Sequence, residues 1–282
     1  MRSTAPRVPV LLVAANLVTL AVTLAVNALA NALPLNGRTT GEISDGFPNL
    51  FAPAGYVFAI WGPIYLGLTA FAVWQLTHAG RRGHAVVDVG WWFALSNIAN
   101  ALWIVFWHLG RFPATMAAML VVLVSLCAIA ARLGPPRAAR SAAERWLVYL
   151  PFSVYLGWIS VATIANAGVF LLDLGWNGAP LSPAAWTLML LAVSSALGAW
   201  LLLRRGDLAY LAVLVWAFIG IWAKQSGVSG TSAASGTPGV PSVAYGALAA
   251  AGVLAALAVW RAVDGRRSGP AGRGARSLAP GT

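Results

Sequence analysis

The residues best suited to chemistry in this 282-residue sequence are rings and side-chain amides that recur at helical spacing. Intervals of three and four residues place side chains on one face of an α-helix. One such stripe consists of Trp92, Ser96, Asn100, Trp103 and Trp107. A second consists of Tyr155, Trp158, Ala162, Asn166 and Val169, and a shorter third of Phe58, Trp61 and Tyr65. Because rings stack and amides form hydrogen bonds, these faces suit a flat, largely apolar molecule with a few polar substituents.

The stripes also have a plainer interpretation. In it, Asn100 and Asn166 only join neighbouring helices through hydrogen bonds, and the rings only pack. Interhelical hydrogen bonds inside a membrane contribute about 0.6 kcal/mol on average. The residues alone leave both interpretations open.

The sequence offers little for catalysis or metal binding. It contains no G-x-x-x-x-G-K-[ST], H-E-x-x-H or G-x-S-x-G motif. Its single cysteine, Cys127, permits neither an internal disulfide nor a cysteine-based metal site. The three histidines fall near helix ends, where two of them are poorly placed to clamp one haem. We therefore predict no catalytic residue, no metal site and no obligatory cofactor.

The composition is that of a membrane protein. Hydrophobic residues make up 60% of the chain and charged residues 9%, against roughly 25% charged in soluble domains. A span needs about 20 mainly apolar residues. Eight segments meet this requirement: 8–33, 53–77, 89–110, 112–131, 146–172, 184–203, 208–223 and 243–260. We predict an all-α integral membrane protein and number these segments spans 1 to 8, with a kink in span 2 at Pro63.

The basic residues predict the orientation. With both termini cytoplasmic, 15 of the 18 Lys and Arg residues lie on the inner side, and only Arg38, Arg111 and Lys224 lie outside. This asymmetry follows the positive-inside rule and explains the net charge of +11 without a nucleic-acid partner. Span 1 could instead be a cleaved signal peptide, but its apolar run is 26 residues long, whereas signal peptides carry about 7–15. We expect a multi-pass cell-membrane protein.

In this orientation the three stripes share one depth. At about 1.5 Å per residue, Trp61, Trp103, Asn100 and Asn166 lie roughly 9–15 Å below the outer ends of their spans. The loop 34–52, which carries Glu42 and Asp45, lies above them. We predict a cavity between spans 2, 3 and 5. Residues 225–241 are expected to form a flexible loop and residues 265–282 a disordered basic tail.

Three segments on these spans resemble one family, the tryptophan-rich sensory proteins, also called the translocator protein or peripheral benzodiazepine receptor family (TspO/MBR). Residues 54–65 (AGYVFAIWGPIY) resemble its W-x-x-x-Y motif at the start of the second helix. Residues 100–107 (NALWIVFW) are similar to its L-N-x-x-W-x-x-x-F-F run. Residues 155–166 (YLGWISVATIAN) are similar to Y-x-x-W-V-x-F-A-x-x-L-N. The resemblance covers about residues 8–175, which form a TspO-like five-helix domain, followed by three additional spans (176–264) and the tail (265–282).

The resemblance implies a ligand and the residues that hold it. Members bind porphyrins, haem-like tetrapyrroles and in some cases sterols, and they are linked to stress sensing and proposed transport. The corresponding ligand-binding residues here are Trp61, Tyr65, Asn100, Trp103, Trp107, Tyr155, Trp158, Ala162 and Asn166. The expected partners are the lipid bilayer and a tetrapyrrole or sterol-like molecule, and a homodimer is left open.

Two other functions compete with this interpretation. The first is a small-solute permease that uses all eight spans, although the sequence lacks clear inverted repeats and carboxylates within the spans. The second is a membrane enzyme that breaks down a tetrapyrrole in the light, a reaction ascribed to some members of the resembled family. The side chains offer no nucleophile–base pair for such an enzyme.

Overall fold

A computed structural model of the chain describes residues 8–33, 35–228 and 239–267. Within these ranges the chain forms helices and no strand, and eight helices are long and apolar enough to cross a membrane. The predicted all-α membrane architecture with about eight spans is confirmed. Most of the predicted loop 225–241 and of the predicted tail 265–282 lies outside the described residues.

The helices correspond to the predicted spans, with different ends. Span 1 is Val10–Ala32, span 3 is His84–His108 and span 4 is Phe112–Leu133. Span 5 is Leu150–Asp173, preceded by a π-helical turn at Arg145–Tyr149. Spans 6, 7 and 8 are Pro183–Arg205, Leu208–Gln225 and Pro241–Arg267. Between spans 1 and 2, residues Thr40–Asp45 form a short helix that we call the loop helix.

Span 2 differs most from its prediction. It starts with a 3₁₀ segment, Gly55–Ile60, and continues as the α-helix Trp61–Trp74. The expected kink at Pro63 is wrong because Pro63 lies in the first turn of that α-helix. There a missing backbone N–H costs no hydrogen bond. The irregularity lies before the proline and leads the chain from the loop helix into the membrane region.

The spans pack into one bundle. Span 3 packs against spans 1 and 4, span 4 against span 5, and span 2 against spans 1 and 5. Spans 6 to 8 continue the bundle, because span 7 packs against span 5 and both span 6 and span 8 pack against span 7. Spans 2, 4 and 6 end at the face that carries Arg81, Arg132 and Arg205, which we call the arginine-rich face. The loop helix lies at the opposite face.

Candidate functional site

Five rings from spans 2, 3 and 5 meet around Trp61, and we call them the ring cluster. Trp61 stacks on Tyr65, with 5.1 Å between ring centroids and 20° between ring planes. The centroid of Trp103 lies 6.2 Å away, that of Tyr155 5.9 Å and that of Trp158 6.2 Å. These separations fall within the range of about 4.5–7 Å that aromatic pairs prefer. The stripes predicted from spacing therefore face one another inside the bundle.

Asn166 fixes one side of the ring cluster. Its Oδ1 accepts a hydrogen bond of 3.0 Å from the indole Nε1 of Trp103, and its Nδ2 donates to Thr115 Oγ1 of span 4 at 3.4 Å. Trp103 also stacks on Trp107, at 5.7 Å between centroids. One amide therefore connects spans 3, 4 and 5 and sets the orientation of the Trp103 ring.

Asn100 fixes the side of the ring cluster that faces span 1. Its Oδ1 accepts hydrogen bonds from Asn27 Nδ2 at 3.0 Å and from the Tyr65 hydroxyl at 3.4 Å. Its side chain is buried. Both amides thus join neighbouring spans, as the plainer interpretation predicts, and they also orient the rings of the cluster.

The open space differs from the predicted cavity. Between spans 2, 3 and 5 there is a cavity of about 30 Å³, lined by Trp103, Trp107, Trp158, Ala162 and Asn166 among others. A site for one water needs about 10–15 Å³, so this space is far too small for a macrocycle. The rings themselves fill the hollow that the stripes led us to expect, although all nine predicted residues lie in or beside the cluster.

A larger cavity lies on the other side of Trp61. It measures about 700 Å³ and is bounded by span 1, the loop helix and the start of span 2. Asn27 lines it from span 1, and Thr40 and Asp45 line it from the loop helix. Phe58 and Trp61 line both cavities and therefore form the wall between them. The sequence pattern did not reveal this cavity because its walls come from span 1 and from a loop.

One polar atom of the ring cluster is unsatisfied. The indole Nε1 of Trp158 has no hydrogen-bond partner among the described residues, and the side chain is 2% exposed. A buried donor without a partner costs roughly 1–3 kcal/mol. Trp158 lines the smaller cavity, so a hydrogen-bond acceptor placed there would satisfy this N–H.

The loop helix lines the larger cavity and has a well-defined start. Thr39 Oγ1 accepts a hydrogen bond from the backbone N–H of Glu42, and Glu42 Oε2 accepts one of 2.7 Å from the backbone N–H of Thr39. This reciprocal pair is a capping box. The hydrogen bonds from the Thr39 backbone and then from its hydroxyl lower the pKa of Glu42.

Three contacts hold the loop helix on the bundle. Trp107 Nε1 donates to the backbone carbonyl of Thr40 at 3.2 Å, and the Thr40 hydroxyl lies 3.2 Å from His108 Nε2. At the other end of the helix, Lys224 Nζ forms an ion pair of 2.6 Å with Asp45 Oδ1. Spans 3 and 7 therefore both hold the loop helix in its position.

Span 7 also holds the segment that leads into span 2. Trp216 Nε1 donates to the carbonyl of Val57 at 3.2 Å, and the backbone N–H of Ala54 donates to the carbonyl of Gly220 at 3.1 Å. A Cβ on Gly220 would lie 2.1 Å from Val57 Cγ2, so only glycine allows this approach. We missed this role of span 7. The available signal was the single lysine of the chain near the outer end of span 7, opposite two acids in the loop 34–52.

Comparison with known proteins places the chain in a family. No curated protein and no solved structure matches the chain. A family profile described as TSPO-like protein matches residues 12–260. The match crosses the domain division predicted near residue 175 and takes in spans 6 to 8, and that division stays a prediction. The eight-span chain belongs to the TSPO-like protein family.

Proposed function

We propose that this protein is a membrane receptor for a porphyrin-like or other flat amphiphile. The ligand would occupy the cavity of about 700 Å³ between span 1, the loop helix and the start of span 2. The observation that carries this proposal is the ring of Trp61, which joins that cavity to the ring cluster. Pockets for small molecules typically have volumes of about 300–1,000 Å³ and apolar, aromatic walls with few polar groups.

The lining suits a flat molecule with polar substituents. The rings of Phe58, Trp61 and Tyr65 offer stacking surfaces. The other walls carry polar side chains, which are those of Asn27, Thr39, Thr40, Glu42 and Asp45. The loop helix forms one wall of the cavity. Of the nine predicted residues, Trp61 and Tyr65 line this cavity and would contact the ligand. The other seven would hold these two rings in place, or would contact a ligand that extends into the ring cluster.

A movement of Trp61 would connect the two cavities. Trp61 is partly exposed, unlike the buried Trp103 and Trp158. Side-chain rotamer changes on binding are common even where the backbone moves little. Displacement of the Trp61 ring by a ligand would open the smaller cavity and bring an acceptor on the ligand to Trp158 Nε1. The unsatisfied N–H of Trp158 supports this part of the proposal.

We further propose that the arginine-rich face is cytoplasmic, so that the cavity lies in the outer half of the bilayer. The proposed activity is binding for sensing, without turnover of the ligand. A permease that uses all eight spans would differ in one measurable way, because it would carry the same compound into sealed proteoliposomes with saturation kinetics.

The test is quenching of tryptophan fluorescence by protoporphyrin IX with the full chain in detergent. Trp61→Leu removes the first stacking surface, and we expect an affinity loss of about tenfold, equivalent to about 1.4 kcal/mol. Trp158→Phe keeps a ring but removes the N–H, and we expect a loss of about fivefold, the equivalent of one hydrogen bond of about 1 kcal/mol. The matched control is Trp260→Leu, because Trp260 is 53% exposed on span 8 and lines neither of these cavities.

Two results would contradict the proposal. One is unchanged affinity in Trp61→Leu, and the other is an equal loss in Trp61→Leu and Trp260→Leu. Circular dichroism of each variant in the same detergent separates a binding defect from unfolding. Saturable uptake of the porphyrin by proteoliposomes would show that the protein transports the ligand through this site rather than sensing it.

A further inference from the structure

Span 6 stands apart from span 5 and leaves a cleft. Span 6 packs against spans 7 and 8, and the space between spans 4, 5, 6 and 7 is a cavity of about 450 Å³. A second cavity, of about 620 Å³, lies between span 5 and the start of span 6 near the opposite face. Thr163 and Ile164 line both cavities, so the two adjoin along span 5, and we call them together the cleft. None of the five rings of the ring cluster lines the cleft.

The cavity near the arginine-rich face has the depth of one membrane leaflet. Ser153 lines its arginine-rich end and Ile164 lies at its junction with the second cavity. These residues are 11 positions apart on one helix, which corresponds to about 16 Å at 1.5 Å per residue. Half of a hydrocarbon core of about 30 Å is nearly the same distance. Between these ends, the walls are mainly alanine, leucine, valine and isoleucine side chains.

One arginine lines the mouth of this cavity, and two more are next to its lining residues in the chain. Arg205 lines it and donates from Nη2 to the carbonyls of Ala130 and Gly134, the latter at 2.6 Å. These bonds use one nitrogen of a guanidinium that carries N–H groups on three. Arg137 donates to the carbonyl of Arg204 at 3.4 Å, and both of these side chains are exposed. Arg205 thus lines the slot itself, and Arg137 and Arg204 directly follow or precede lining residues in the chain.

The mouth also contains a carboxylate, but its oxygens are occupied. Asp207 Oδ2 accepts a hydrogen bond of 2.8 Å from Ser153 Oγ, and Asp207 Oδ1 accepts one of 3.0 Å from the backbone N–H of Tyr210. Asp207 therefore caps span 7 and binds span 5. Its single negative charge is outnumbered by the three arginines Arg137, Arg204 and Arg205, so the net charge in this region is positive.

From this arrangement we infer that the cleft binds one anionic phospholipid of the leaflet at the arginine-rich face. One of its two acyl chains lies in the cavity of about 450 Å³ along span 5. Its phosphate contacts the guanidinium groups of Arg137, Arg204 and Arg205. Basic pockets between membrane helices recognise anionic headgroups through the same chemistry. The site is independent of the proposed ligand cavity at Trp61.

Native mass spectrometry tests this inference with the full chain in a neutral detergent. The protein is mixed with equal amounts of phosphatidylglycerol and phosphatidylcholine that carry the same acyl chains. We expect one phosphatidylglycerol to be retained in preference. The double variant Arg137→Gln/Arg204→Gln should lose roughly thirtyfold in affinity, which corresponds to about 1 kcal/mol for each arginine near the headgroups. The double variant Arg81→Gln/Arg82→Gln removes the same charge from the same face, outside the cleft, and should bind as before.

The acyl slot needs a second pair of variants. Ile164→Trp fills the junction of the two cavities and should reduce phosphatidylglycerol retention at least tenfold. Ile98→Trp makes the same change at a position of span 3 that is 49% exposed, and it should have no effect. Equal retention of both lipids, equal losses in the two arginine double variants, or unchanged retention in Ile164→Trp would overturn the inference. A protein dimer that forms without lipid through this cleft would overturn it as well.

Discussion

The ion pair between Lys224 and Asp45 allows a quantitative test of the claim that span 7 holds the loop helix in place. Lys224 Nζ lies 2.6 Å from Asp45 Oδ1, and the two side chains are 6% and 19% exposed. Removing one partner of a fully buried pair costs about 3–5 kcal/mol, because the remaining charge loses its compensation. Since solvent reaches part of Asp45, we expect Lys224→Met to cost about 2 kcal/mol.

This cost should appear as local opening of the loop helix. At tenfold per 1.4 kcal/mol, amide hydrogens of residues 40–46 should exchange roughly thirtyfold faster in Lys224→Met, while amides in spans 3 and 4 keep their protection. Hydrogen exchange of the protein in nanodiscs measures both. Lys224→Arg keeps the cation and should stay close to the wild type. Unchanged exchange of residues 40–46 in Lys224→Met would refute the claim that span 7 holds the loop helix.

Two further predictions concern the same region. Gly220→Ala places a Cβ 2.1 Å from Val57 Cγ2 and should destabilise the protein by about 1–3 kcal/mol, as overpacking does, whereas Gly252→Ala, with nothing within 4 Å, should be nearly neutral in thermal unfolding. Equal melting temperatures for these two variants would contradict the close packing of span 7. The pKa of Glu42 is lowered in the folded protein, so its contribution to the loop helix is present above the pKa of an unfolded glutamate and is lost as the pH falls through the folded value. Protection of residues 40–46 should therefore fall in acid, and Glu42→Gln should remove this dependence, which comparison of exchange at several pH values will show.

The spans were predictable because each is a continuous apolar run of the length that a bilayer requires. The ends of the spans were harder to predict, because the backbone conformation of a few residues determines them. The chain from Gly55 to Ile60 forms a 3₁₀ segment within a run that is as apolar as the helix that follows it. The kink at Pro63 was predicted wrongly for the same reason. A proline kinks a helix from its interior but not from its first turn, and the sequence did not show where the α-helix of span 2 begins.

The meeting of the rings was predictable, whereas the shape of the cavity was not. Spacing alone brings Trp61, Trp103 and Trp158 onto inward faces. How much space remains between them depends on the distances between spans and on the bulk of facing side chains, which a pattern does not contain. The sequence places Lys224 and two acids of the loop 34–52 at the same face, but it does not show which of them pair, because Asp45 lies 179 residues from Lys224 in the chain.

The most direct test of the ligand site is a cryo-EM structure of the full chain with protoporphyrin IX bound, in nanodiscs. We expect planar density against Trp61, between span 1 and the start of span 2 and beneath the loop helix, with the Trp61 ring displaced towards an opened inner cavity. Density only in the cleft between spans 5 and 6, or density that leaves Trp61 and Tyr65 untouched, would contradict the account.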